Sequence, residues 1–244
     1  MSSVPDGKSL ASDTAMVMAA GLGKRMRPLT ASRPKPLVHV AGKPLIDHSL
    51  DRLADAGIAR AVVNVHYLAD SLEAHLAQNR RLDIVLSDER DALLETGGGM
   101  VRALQHLPDP FFCLNSDNIW LDGPRSAFHE LTSAWQPDRM DALLLLVRHP
   151  AAHNYVGKGD FHMDGLGRIS RRRPGRIAPF IYTGIQLVSH RLLRDAPEGA
   201  FSTNVLWSRA IEEERLFGCV HTGEWFEVGE PGAIAPTEAR LSGG

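Results

Sequence analysis

Ala15-Met16-Val17-Met18-Ala19-Ala20 runs into Gly21-Leu22-Gly23-Lys24-Arg25-Met26-Arg27-Pro28-Leu29-Thr30, and this junction decides the fold. The apolar run is too short for a helix of ordinary length and reads as a buried strand. It stops at Gly21, and the segment through Pro36 carries Gly, Pro and five basic residues, Lys24, Arg25, Arg27, Arg33 and Lys35. Such a segment is an ordered loop at the carboxyl end of a strand, where open α/β sheets bind their ligands. Gly21 and Gly23 remove side chains, so backbone N–H groups can approach phosphate oxygens. The neighbouring cations neutralise charge, and a nucleoside triphosphate needs both. Two familiar phosphate loops are excluded. Gly23-Lys24 is followed by Arg25 rather than Ser or Thr, and Met26 stands where the dinucleotide fingerprint needs a third glycine.

Downstream, Leu45, Ile46, Leu50, Leu53 and Ala54 recur at helical spacing, with Gly57 where a helix stop belongs. Ala61 to Val65 reads as a strand, Leu68 to Leu76 as a helix and Leu82 to Leu86 as a strand. Gly97 opens a helix carrying Met100, Val101, Ala103 and Leu104; strands follow at Phe111 to Leu114 and Leu143 to Val147. This alternation predicts an α/β fold, a three-layer sandwich around a mixed, mainly parallel sheet. Near residue 150 the pattern changes. Phe161 to Ile169 reads as a hairpin turning at Asp164-Gly165, Ile181 to Val188 as a strand and Val205 to Ile211 as a helix. Phe217 to Val220 reads as a strand, and Ala233 to Leu241 as a closing helix. Residues 1–13 offer few large apolar side chains and read as a loose tail, leaving 14–244 as a single domain.

Composition narrows the function classes. The chain has 244 residues, 43% apolar and 23% charged, as in an ordinary globular protein. With 27 basic and 29 acidic residues the formal charge is −2, so no global basic field points to nucleic acid. An anionic ligand must be gripped by a local cluster. Cys113 and Cys219 lack metal-ligand spacing, and Cys113 in Phe111-Phe112-Cys113-Leu114 reads as a reduced core thiol. The start lacks the basic-then-apolar layout of a signal peptide, and no apolar run approaches the roughly 20 residues that span a bilayer. A cytoplasmic protein without a membrane partner is expected.

The loop, together with Arg33-Pro34-Lys35-Pro36-Leu37 and Val40-Ala41-Gly42-Lys43-Pro44-Leu45-Ile46, resembles the sugar-1-phosphate nucleotidyltransferases, over most of the chain. In that family Gly-x-Gly-x-Arg-x-x-Pro-x-Thr wraps the triphosphate, and the lysine of Pro-Lys-Pro reaches the phosphates from the other side. The resemblance implies a Rossmann-like nucleotide-diphospho-sugar transferase fold, with a nucleotide-binding half at about 14–150 and a sugar-binding half at about 151–244. It implies that Ala20, Gly21, Leu22, Gly23 and Lys24 contact the nucleotide, that Arg25 holds the leaving pyrophosphate and that Lys35 holds the phosphate under attack. Leu94-Glu95-Thr96-Gly97-Gly98-Gly99 follows a strand and opens a helix, whose free amides suit an anion or the edge of a base. Many relatives have Leu-Gly-Thr here, so Glu95, Thr96 and Gly97 are implied as base contacts. The Leu-Glu-Thr-Gly-Gly-Gly form, the chain length and Gly157-Lys158-Gly159-Asp160-Phe161 are similar to the short bacterial N-acetylmuramate-1-phosphate uridylyltransferases of peptidoglycan recycling.

Asp117, in Asn115-Ser116-Asp117, ends a strand near the phosphate loop and suits Mg²⁺, which takes one or two carboxylates plus phosphate oxygens and water. The family form of this motif is Gly-Asp, so Ser116 is a departure. Trp225-Phe226-Glu227-Val228-Gly229 places Glu227 where the family has its second metal-binding aspartate. The implied set is therefore Arg25, Lys35 and Asp117 for catalysis, with Asp117 and Glu227 for the metal. For the acceptor, Asn115, Lys158, Thr183 and Gly184 are implied. Arg171-Arg172-Arg173-Pro174 replaces the Glu-Lys-Pro of many relatives and is either a solvated face or a clamp on an acidic group, such as the carboxylate of a muramic acid.

The expected substrates are a nucleoside triphosphate and a sugar 1-phosphate, with UTP and N-acetylmuramate 1-phosphate first and mannose-1-phosphate guanylyl transfer second. The departures at Ser116 and Glu227 leave open a non-catalytic nucleotide-sugar sensor. A glycosyltransferase fits less well, because Asp117 is followed by Asn118-Ile119 and forms no Asp-x-Asp motif. A monomer or simple dimer is the expected assembly.

Overall fold

The computed structural model describes residues 9–243. In chain order the first elements are β1 (Thr14–Met18), β2 (His39–Val40), β3 (Lys43–Pro44), α1 (Leu45–Asp55), β4 (Arg60–Val65) and α2 (Ala69–Leu76). Then come β5 (Asp83–Asp88), α3 (Glu95–Ala103), β6 (Phe111–Asn115), β7 (Asn118–Leu121), α4 (Ala127–Ala134), β8 (Ala142–Arg148) and β9 (Ala152–His153). The chain ends with β10 (Phe161–Met163), β11 (Ile169–Arg171), β12 (Phe180–Val188), α5 (Thr203–Glu212), β13 (Leu216–Val220), β14 (Glu224–Glu227) and α6 (Ile234–Ser242).

Nine strands form the main sheet. β1 pairs in parallel with β4 on one side and β6 on the other, and β4 pairs in parallel with β5. β12 runs antiparallel between β6 and β8, and β13 extends β8 in parallel. The sheet is mixed and mainly parallel, and strands from both halves of the chain share it. Side-chain alternation sends Ala15 and Val17 of β1 to one face and Met16 to the other. Ile46 of α1, Leu72 of α2 and Phe128 of α4 pack on the first face; Met100 of α3 and Leu206 of α5 pack on the second. These are the three layers. Each fully buried Leu or Phe contributes about 1.5–3 kcal/mol to holding them.

The first crossovers carry β1 to β4 and β5 in one direction, and the chain then returns to lay β6 on the other side of β1. β1 and β6 therefore flank a switch point, where a crevice opens beyond the strand ends.

A second sheet, β7-β14-β9, is absent from the sequence expectations, as is α4. Asn118-Ile119-Trp120-Leu121 follows Asp117 too closely to stand out from the strand before it. Its register pairs Glu227 with Asn118 and so carries a carboxylate from the far end of the chain to the neighbour of Asp117. The helix expected to open at Gly97 begins at Glu95. The described part of the expected tail, residues 9–13, is not all loose. Leu10 and Ala11 pack against the core and Ala11 N–H donates to Thr132 Oγ1, while residues 1–8 lie outside the described residues. No described helix is long and apolar enough to cross a membrane.

Candidate active site

β1 hands the chain to the glycine loop under tight control. Ala19 and Ala20 N–H both donate to Asn64 Oδ1, at 2.6 and 3.3 Å. Asn64 Nδ2 donates to Glu89 Oε1 at 2.7 Å, and Glu89 Oε2 accepts from Leu94 N–H at 3.3 Å. A fully enclosed carboxylate thus links the glycine loop to the segment that opens α3. Burial pushes the Glu89 carboxyl above its ordinary range, with the bonds from Asn64 and Leu94 pulling it back. The loop's far side is anchored by Met26, which is wholly buried among Val38, Val40, Ile119 and Phe226. Gly23 has φ +59, and a Cβ there would lie 2.9 Å from Lys35 Cβ. The glycine therefore brings the Pro34-Lys35-Pro36 segment against the loop. Gly21 faces open space.

A cavity of about 400 Å³ opens at this point, lined by Ala20, Gly21, Lys35, Glu95, Thr96 and Asp117 among others. Leu22, Gly23, Lys24 and Arg25 line its outer neighbour together with Lys35 and Asp117. Glu95 takes φ +58, a left-handed conformation in which glycine is at ease.

At Gly97 the structure differs from expectation. Gly97 and Gly98 N–H donate to Phe201 C=O at 2.8 and 3.2 Å, so these amides are not free. A Cβ on Gly97 would stand 2.2 Å from the Phe201 ring, and one on Gly98 2.3 Å from Gly199 O. The two glycines let α3 seat against the segment before α5. What faces the cavity is Glu95 and Thr96, and the Thr96 hydroxyl accepts from Thr203 N–H.

Ser116 N–H donates to Met18 C=O, which fixes the end of β6 beside the end of β1. Asp117 projects from there and forms an ion pair with Lys35, Nζ donating to Oδ2. A second cavity, about 260 Å³, shares Asn115 and Asp117 with the first and adds Arg25, Gly184 and Glu227. Burial raises the Glu227 carboxyl; Arg25 and Lys35 oppose that shift, while Asp117 and Asp160 reinforce it. The Arg25 guanidinium lies against Gly229, where a Cβ would be 3.1 Å from Nη1. Among the described residues no three His, Cys, Asp or Glu side chains gather closely enough to hold a metal ion. Two carboxylates, Asp117 and Glu227, lining one cavity nonetheless fit a hard cation that takes its remaining oxygens from a bound ligand and water.

Gly184 sits at a bulge in β12 with φ +81, and a Cβ would approach Asn115 Nδ2 and Asn118 Nδ2 to 2.7 Å each. Thr183 is buried, and its hydroxyl donates to Leu145 C=O at 2.9 Å, so it lines the cavity without a free hydroxyl. Lys158 is exposed on the loop after β9; its carbonyl accepts from Ala178 N–H, and its side chain lies outside this cavity's lining.

Four residues escaped the sequence reading. Asn64 and Glu89 tie the loops, and the one available signal was a polar side chain inside the apolar run Ala61 to Val65. Asn118 and Asp160 line the second cavity. Asn118 is almost fully buried, and its Nδ2 has no partner among the described residues. Trp225 Nε1, which can only donate, points at Asn118 Oδ1 at 3.5 Å and so turns the amide nitrogen toward the cavity.

The nucleotidyl transferase family pattern matches residues 14–158. An N-acetylmuramate alpha-1-phosphate uridylyltransferase from Caulobacter vibrioides is 45% identical over 239 residues, covering 96% of this chain and 99% of that protein. The protein of the same name from Neisseria meningitidis serogroup B is 35% identical over 228 residues, covering 88% and 92%. Among solved structures, the inositol-1-phosphate CTP transferase from T. maritima superposes with a TM-score of 0.76 at 18% identity, covering 95% of this chain and 96% of that one.

Proposed function

This chain belongs to the nucleotidyl transferase family, an enzyme family, and on that footing we propose that it moves the uridylyl group of UTP to N-acetylmuramate 1-phosphate. The observation that carries this reading is the pair of cavities meeting at Asn115 and Asp117, one under the glycine loop and one against β12 and β14. Two anions bound there would meet head to head beside Lys35. The identity with the two uridylyltransferases supports this choice of base and sugar.

In the reaction an oxygen of the sugar phosphate attacks the α-phosphorus of UTP. The new P–O bond forms as the bond to the β-phosphate oxygen breaks, and pyrophosphate leaves. The nucleophile is already ionised at neutral pH, so no general base is needed. Alignment and charge neutralisation supply the catalysis. Backbone amides from Gly21 to Gly23 hold the triphosphate, with Ala20 lining the cavity beside them, Arg25 holds the departing pyrophosphate and Lys35 the phosphate under attack. Asp117 keeps Lys35 oriented through their ion pair. Asp117 and Glu227 are the residues that would hold Mg²⁺, which when bound neutralises phosphate charge. Asn115 and Gly184 shape the acceptor side, Glu95 and Thr96 the base side.

The test offers UTP and GTP with N-acetylmuramate, N-acetylglucosamine and mannose 1-phosphates and measures pyrophosphate release. The expected result is a preference for UTP with N-acetylmuramate 1-phosphate. Equal release from every pairing, or better turnover of GTP with the mannose phosphate, would defeat it. Complete absence of turnover in both the natural protein and Glu227→Asp, with nucleotide still bound, would point to a sensor instead.

A further inference from the structure

A third cavity, about 360 Å³, opens beside the acceptor cavity and shares Asp160 and Tyr182 with it. Its far wall carries Arg171 and Arg172, and its floor is aromatic, with Phe161, Tyr182 and Trp207. The Tyr182 and Trp207 rings meet edge to face at 4.9 Å, so the floor is packed and rigid.

The two arginines are held differently. Arg171 is spent on α5: Nη1 donates to Asn204 Oδ1 at 2.9 Å, and Nη2 donates to Asn204 C=O and Ser208 Oγ at 3.0 and 3.2 Å. Arg172 is clamped from behind. Its Nε donates to Gly159 C=O at 2.9 Å, its Nη1 to Arg176 C=O at 3.2 Å and its backbone N–H to Asp160 C=O at 2.8 Å. These carbonyls fix the guanidinium plane without neutralising it. Asp160 is the acidic side chain lining this cavity, and its Oδ2 accepts from Tyr182 N–H at 2.9 Å. Two cations therefore face one carboxylate, and the local balance is positive. Tyr182 lines both cavities. A pre-oriented guanidinium over an apolar floor, next to an acceptor cavity, suits a planar anionic group attached to the acceptor.

We infer that this third cavity is a subsite for an acidic substituent of the acceptor sugar, with Arg172 and the Tyr182 hydroxyl donating to its carboxylate. The inference rests on the acceptor assignment above and sharpens it. N-Acetylmuramate differs from N-acetylglucosamine by a lactyl ether ending in a carboxylate, so the subsite supplies the choice between the two. Asp160 stands between the cavities and repels a carboxylate that strays from Arg172.

The test compares kcat/KM for the two sugar phosphates at saturating UTP in the natural protein, Arg172→Gln and Tyr182→Phe. A hydrogen bond to a charged group corresponds to about a 10- to 100-fold effect. Arg172→Gln is expected to lower kcat/KM for N-acetylmuramate 1-phosphate by that factor, with the loss for N-acetylglucosamine 1-phosphate under about 3-fold. Tyr182→Phe, which removes one oxygen and leaves the floor packed, is expected to shift the same ratio by about 3- to 10-fold. Arg173→Gln, an exposed neighbour, should leave the ratio alone. Equal losses on both sugars would make Arg172 merely structural, and an unchanged ratio would remove the subsite. A rise confined to the KM for UTP would show that the cavity reads nucleotide phosphate. If the natural protein turns over neither sugar, the acceptor assignment and the subsite fall together. If it uses N-acetylmuramate 1-phosphate while the ratio stays put, only the subsite falls.

Discussion

The nucleotide side and the acceptor side of the crevice satisfy their polar groups in opposite ways. Around the glycine loop the fixed groups are already paired: Ala19 and Ala20 with Asn64, Asn64 with Glu89, Glu89 with Leu94, and the α3 amides with Phe201. What is left for a ligand is backbone at Gly21, together with cations. Across the crevice, Asn118 Nδ2 lacks a partner among the described residues, although it lies on a packed strand. Under the proposed function the triphosphate tail is common to every nucleoside triphosphate, and a rigid, generic holder would suit it. Sugars differ by single substituents, and under the same proposal their holder would keep a donor open to be completed by the right substrate.

The sharpest break in that contrast is at the shared residue. Asp117→Asn should lower kcat by about 100- to 1000-fold with UTP and sugar phosphate both saturating, because it removes charge where the two sides meet. A loss seen only in one KM would assign Asp117 to a single side. Next, Asn64→Ala strips the Ala19 and Ala20 anchors and leaves the Glu89 carboxylate short of a donor. A stability loss of about 2–4 kcal/mol by denaturant titration is expected, with a rise in the KM for UTP and none for the sugar phosphate. Asn118→Ala should do the reverse. It discards a donor the fold does not use but also the acceptor of Trp225 Nε1, so stability falls by only about 1 kcal/mol while the KM for sugar phosphate rises by about 10-fold.

Glu89 offers a pH test. Its carboxyl is raised in the folded state, so the folded protein holds that proton more firmly than the unfolded chain does. Its contribution is then complete below the unfolded value and is lost as pH climbs through the folded one. The melting temperature of Glu89→Gln should therefore gain on the natural protein as pH rises above about 4.5, the ordinary value of the carboxyl. A difference that stays flat would refute the raised carboxyl. The smallest effect is expected at Glu95→Gly. Relief of the left-handed backbone, less the added freedom of the unfolded chain, should stabilise by about 0.5–1 kcal/mol.

Legibility in the sequence followed locality. The glycine loop, Lys35 and Asp117 could be read because each sits within a few residues of a strand end, and short apolar runs announce strands. Residues 97–99 were misleading, since a glycine run at a helix start looks alike whether it meets a phosphate or a phenylalanine ring. Only the packing of Phe201 decides between the two.

By itself, then, the sequence determined the layered α/β architecture and the glycine-rich basic loop at the end of β1, because apolar periodicity and glycine spacing act over short stretches of chain. The tertiary structure alone decided that Glu227 lies beside Asp117, that Asn64 and Glu89 join two loops and that Arg172 lines a cavity with Asp160 and Tyr182. Those facts depend on strand register and crossovers between residues dozens to a hundred positions apart. No local pattern encodes such distances; they are set when the sheets pair and the core closes.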